Sequence, residues 1–158
     1  MALLGNIIWF ITGGWFLGLL YFVGSLFFLP LMPLLLPFVG FSFWPMGRQA
    51  ISRSDYELYQ QYHGNKITNF QKAIDAISFV VNILWIFTFG IVLAFAHLMA
   101  AILNLMLIWT IVAIPNIVGN WKMIWVALAP FNRVIVSNDL AKEINLFAEK
   151  HRAGLIKK

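Results

Sequence analysis

The chain has 158 residues, 61% of them hydrophobic and 11% charged, with a formal net charge of +5 and no cysteine. Soluble domains carry about 25% charged residues, so this composition describes a chain built against lipid rather than water. The lack of cysteine excludes disulfides, thiolate metal sites and a thiol nucleophile.

Residues 1–46 contain no Asp, Glu, Lys or Arg. That run exceeds the roughly 20 residues one spanning helix needs, so two passes are expected. A helix over 5–23, a turn near Gly24 and Ser25 and a return over 26–44 make a hairpin. Pro30, Pro33 and Pro37 fall in the return arm. Each removes a helical hydrogen bond, so the arm is predicted to break into short pieces that need protein cover or a wet cavity. The N-terminus lacks the basic residues of a signal peptide, and the first block is expected to stay as an anchor.

Residues 54–75 read as a connector. Ser54 and Glu57 have the spacing of a capping box that opens a short helix ending at Tyr62, with Tyr56, Tyr59 and Tyr62 as an aromatic edge for the headgroup layer. A second uncharged run covers 76–121. An unbroken helix from 76 to 114 would be about 58 Å long, nearly twice the hydrocarbon thickness. The turn is therefore expected between His97 and Asn104, with a return over 104–125 that Pro115 interrupts as Pro30 interrupts the first. Residues 138–158 form a basic tail, an amphipathic helix with Leu140, Ile144, Phe147 and Ala148 on one side.

Asn6, Trp9, Thr12 and Gly14 recur as Asn82, Trp85, Thr88 and Gly90, an offset of 76. Pro30, Pro45, Arg48 and Ser52 recur as Pro115, Pro130, Arg133 and Ser137, an offset of 85. The expected fold is thus an all-α integral membrane protein of two parallel repeats, 1–53 and 76–137, each a helical hairpin with a Pro-broken return arm, plus amphipathic cytoplasmic helices. The positive-inside rule puts both basic segments, and with them both termini, in the cytoplasm. The alternative is one hairpin per copy that enters the membrane without reaching the far side.

Candidate chemistry lies in the polar residues of the apolar blocks. On one helix Asn82, Ala96, His97, Ala100 and Asn104 fall within roughly 100° of arc, a small-and-polar stripe that faces protein. It suits a solute or proton path, His97 being titratable near neutral pH, and equally suits helix packing, in which Asn82 and its counterpart Asn6 bond across a contact. Arg48, Lys122 and Arg133 are expected at the membrane surface, Lys122 snorkelling between Trp121 and Trp125. Anionic lipids are expected partners, at roughly 1 kcal/mol per cation near the surface. No acidic residue lies inside either apolar run, and no phosphate loop, zinc spacing or dinucleotide fingerprint occurs, so no catalytic residue, metal or cofactor is expected. No basic face with interleaved aromatics suggests nucleic acid. A homo-oligomeric channel or small-solute or ion transporter is the leading function, a structural, partner- or lipid-binding membrane module the second, and a lipid-handling membrane enzyme the third.

The series Asn82-Ile83-Leu84-Trp85, Gly90, His97, Ile114-Pro115, Lys122 and Ala127-Leu128-Ala129-Pro130-Phe131 resembles the YccF family of small inner-membrane proteins of bacteria. The resemblance implies two tandem copies of the domain and an inner-membrane location, and it implies no established reaction. Ala113 and Asn132 stand where the family usually has glycine, and the first copy departs further, with Pro45-Met46-Gly47.

Overall fold

The computed structural model describes residues 2–106, 108–109 and 113–156. Helix α1 (Ala2–Trp9) runs through a widened, π-type turn (Phe10–Gly14) into α2 (Trp15–Phe27), with Gly13 at φ 130° kinking the junction. A 3₁₀ turn (Leu29–Leu31) reverses the chain into α3 (Met32–Phe43). Strand β1 (Arg48–Ser52) and helix α4 (Arg53–Tyr62) follow. Helix α5 (Asn69–Trp85) then passes through a second π-type turn (Ile86–Gly90) into α6 (Ile91–Met106). The chain returns through α7 (Ala113–Leu128), a 3₁₀ turn (Pro130–Asn132) and strand β2 (Arg133–Ser137), and ends in α8 (Asn138–Arg152). Two stretches, Ala2–Phe27 and Asn69–Met106, are long and apolar enough to cross a membrane.

The fold is not purely helical. β1 and β2 form an antiparallel ribbon with Arg48 opposite Ser137, Ala50 opposite Ile135 and Ser52 opposite Arg133. Side chains alternate across such a ribbon. Ala50 and Ile135 accordingly pack on the apolar core of the hairpins, whereas Ile51 and Val136 pack with Ala141 and Ile144 of α8. α8 also binds α4, through Arg152 with Asp55 at 2.9 Å, Tyr59 with Glu143 and Phe147 against Tyr59 and Tyr62. Its apolar side therefore covers the ribbon and connector.

Several breaks fall elsewhere than expected. Gly24 and Ser25 are buried and helical, and the first reversal comes at residues 28–31. Residues 97–104 are helical throughout; a turn is seen at 108–109, and residues 107 and 110–112 lie outside the described set. His97 and Asn104 are polar because they bond sideways to neighbouring groups, so their polarity marks a buried contact rather than a loop. Among the described residues, α3 and α7 are each continuous helices. Pro33 and Pro115 sit in the first turns of α3 and α7, where no intrahelical N–H is required, and Pro30 lies in the 3₁₀ turn. Pro37 alone is interior, and α3 continues through it. The capping box sits at Thr68 and Gln71 before α5 rather than at Ser54, and Glu57 is buried instead.

The hairpins α2–α3 and α6–α7 interlock head to tail. Phe28, at the first tip, packs its ring on Trp85 and Phe131 with centroids 5.4 and 6.5 Å away, beside the start of β2. Near the second tip, Asn116 of α7 donates to Thr12, and Gly119 lies under Trp9. At the crossing, Tyr21 and His97 face one another with ring centroids 6.0 Å apart.

Candidate functional site

Three arrangements of polar groups stand out, and each begins with residues singled out in the sequence. The first is a backbone clip, present twice. Asn6 Oδ1 accepts from the Met46 N–H at 2.7 Å and its Nδ2 donates to the Met46 carbonyl at 3.1 Å. The Trp9 indole N–H donates to the Ser42 carbonyl at 2.7 Å. In the second hairpin Asn82 Oδ1 accepts from the Phe131 N–H at 3.2 Å, and the Trp85 indole donates to the Ala127 carbonyl at 2.8 Å. Each clip ties the exit of a return arm to the helix that opened the hairpin. The other recurring residues serve the same device: Thr12 and Thr88 bond carbonyls three and four residues back, and glycine follows where the indole folds over the helix. A Cβ at Gly14 would lie 2.2 Å from the Trp9 ring, closer than atoms can pack.

The second is a buried polar network between α6 and α7. Asn120 Nδ2 donates to the Asn116 carbonyl at 3.0 Å, which leaves Asn120 Oδ1 to accept from His97 Nδ1 at 2.9 Å. Asn116 Nδ2 donates to Thr12 Oγ1 at 2.9 Å and reaches Asn104 Oδ1 at 3.4 Å, while Asn104 Nδ2 donates to the Ala100 carbonyl. The structure thus joins His97 and Asn104 but places Asn82 and Asn6 in the clips. Asn116, Asn120 and Thr12 complete the network, and the sequence signal for them was the spacing of Asn116 and Asn120 by four. Tyr21 Oη and His97 Nε2, both buried, have no hydrogen-bond partner among the described residues.

The third is a groove of about 680 Å³ between β1 and α7. Arg48, Lys122 and Arg133 all line it, together with apolar positions of α7 such as Ile114 and Val118, and no carboxylate lines it. None of the three cations has a hydrogen bond or ion pair among the described residues. Arg48 and Arg133 belong to the hairpin-facing side of the ribbon, at opposite corners of it. Burial holds the Arg133 guanidinium below its ordinary pKa. Trp121 and Trp125 are exposed on the outer face of α7, on either side of Lys122 in sequence.

Outside the hairpins, Arg53 Nε donates to the Phe131 carbonyl at 3.0 Å and lies 3.9 Å from Asp75. Glu57 is buried beside Asp75; burial first, then hydrogen bonding and repulsion from Asp75, push its carboxyl up to about 7, against the pull of Arg53. No cluster of three or more His, Asp or Glu side chains able to hold a metal occurs among the described residues.

A mostly helical chain with two long, outwardly apolar helices is consistent with a membrane protein. Over residues 80–133 it is similar to YccF, the inner membrane component domain, and this match spans the second hairpin from the first clip residue's neighbourhood to the start of β2. The similarity and the apolar helices together support an inner-membrane protein. No curated protein and no solved structure matches the chain.

Proposed function

We propose that the protein is a non-enzymatic structural and lipid-binding module of the inner membrane, built from two tandem YccF-like hairpins that enter the bilayer from the cytoplasmic side and return without reaching the far side. The observation that carries this reading is the packing of Phe28 on Phe131, which lies in the 3₁₀ turn two residues before Arg133 and the start of β2. A tip in contact with the start of a charged strand does not lie across about 30 Å of hydrocarbon from it. The apolar face of α5 and α6 supports the same geometry: from Ile77 to Met106 it is about 45 Å long at 1.5 Å per residue, which fits a hydrocarbon layer only when steeply tilted. On this reading each copy takes the re-entrant alternative in place of two full crossings.

Single cysteines test this cleanly, because the chain has none of its own. Phe27→Cys and Trp109→Cys mark exposed positions at the two tips, and Gln49→Cys marks the ribbon. An impermeant maleimide should label Gln49→Cys in inverted vesicles only, and neither tip variant from the outside of right-side-out vesicles. Labelling of Trp109→Cys from outside would restore the full crossing.

A second reading, a homo-oligomeric channel or solute transporter, draws on Tyr21 Oη and His97 Nε2, whose missing partners a hydrated path would supply. It requires flux in liposomes that falls on Asn104→Leu while assembly is kept; normal flux with failed assembly makes Asn104 a packing residue.

A further inference from the structure

The groove between β1 and α7 has three features whose combination selects a ligand. Its walls are largely apolar, and its charged residues are all cations: Arg48, Lys122 and Arg133. Those cations have no carboxylate partner among the described residues, whereas Asp55 of α4 and Asp75 of α5 face other arginines, Arg152 and Arg53. Exposed Trp121 and Trp125 flank Lys122 on α7, where amphipathic rings mark the headgroup level of a bilayer. A soluble anion would satisfy the charge and leave the apolar wall wet; an apolar peptide would satisfy the wall and leave three cations unpaired. A molecule with a phosphodiester at one end and acyl chains at the other satisfies both.

We infer that this groove is a binding site for one anionic phospholipid of the cytoplasmic leaflet, its phosphate held by Arg48, Lys122 and Arg133 and an acyl chain laid along Ile114 and Val118. The half-buried Arg133 guanidinium gains most, since an anion offsets the desolvation that now lowers its pKa. The structure also contains its own control. Position 37 corresponds to 122 at the offset of 85, and Pro37 there borders a smaller groove of about 470 Å³ with Arg48, Ile135 and Ser137. Arg48 is the one cation lining that groove, so one high-affinity lipid per chain is expected rather than two.

The inference rests on the proposed membrane module only in placing the groove at the cytoplasmic headgroup layer, and cysteine labelling and lipid retention can fail separately. The full chain is reconstituted in vesicles of phosphatidylcholine with equal phosphatidylglycerol, extracted in mild detergent and weighed by native mass spectrometry. One retained phosphatidylglycerol is expected, in preference to phosphatidylcholine. Lys122→Gln with Arg133→Gln should lower retention by about tenfold or more, given the strength of charge-assisted contacts to phosphate. Lys122→Arg should keep it. Lys142→Gln with Lys150→Gln removes two exposed cations from α8 and should leave retention within about twofold. Equal loss in the α8 variant would overturn the site in favour of diffuse surface charge. Displacement by inorganic phosphate at millimolar concentration would overturn it in favour of a free-phosphate site, and unchanged retention in the groove variant would remove it altogether. Lys122 is exposed, so its variants test binding rather than folding.

Discussion

The two clips use the same residues and finish differently. In the first, one amide, Asn6, serves both the N–H and the carbonyl of Met46. In the second, Asn82 takes the Phe131 N–H, but the carbonyl goes to Arg53, and Asn82 Nδ2 is buried without a partner among the described residues. The first hairpin is thus closed by itself, and the second is closed partly by the connector, through an arginine that also faces Asp75. One unpaired amide is exchanged for a link between the second hairpin and α4. The repeated motif therefore keeps its indole-to-carbonyl bond in both places while its outer half is free to acquire a coupling role.

The indoles should dominate both clips. Trp9→Ala and Trp85→Ala each remove a fully packed ring and strand a buried carbonyl, so each is expected to destabilise by about 3–5 kcal/mol in denaturant titrations in detergent. A large difference between them would break the equivalence of the clips. Asparagine substitutions sharpen the contrast instead. Asn6→Leu removes two bonds and should cost about 2 kcal/mol; Asn82→Leu loses one bond but also discards an amide group with no partner, and should cost about 1 kcal/mol. Equal losses would show that the unpaired Nδ2 is not destabilising. The smallest effect is expected at the connector. Glu57 holds its proton more tightly in the folded chain than the ordinary 4.5, up to about 7, so the folded state binds the extra proton between those values. Stability should fall as pH rises from about 4.5 to about 7 and level off above it, and Glu57→Gln should flatten that slope. A stability that rises through this window would contradict the burial of Glu57 against Asp75.

The hairpins and the tail helix were legible because their signals are local: uncharged runs, a recurring Asn-x-x-Trp, and a 3.6-residue apolar stripe in 138–152. Membership of Arg48, Lys122 and Arg133 in one site was legible only as three surface cations, since the groove that unites them is closed by β1 and α7, far apart in the chain. The ribbon itself escaped because five-residue strands have no meaning until their partner is known, and here the partner lies 85 residues away. Polarity misled at His97 and Asn104, whose bonds go to Asn120 and Asn116 across a hairpin rather than to water. Prolines misled at Pro33 and Pro115 because the first turn of a helix needs no amide hydrogen.

The register of the ribbon pairs Arg48 with Ser137, Ala50 with Ile135 and Ser52 with Arg133. Arg48 and Arg133 are counterparts at the offset of 85, as are Ser52 and Ser137, so counterpart residues exchange places about a midpoint between Ala50 and Ile135. That is the rule of an isologous contact, in which a surface meets a copy of itself. A polypeptide bearing a single hairpin and a single strand has in this ribbon a template for closing the same structure as two separate molecules, and fusing the halves into one chain frees each to change on its own. Lys122 opposite Pro37, and Arg53 taking the Phe131 carbonyl, are two places where the halves have diverged.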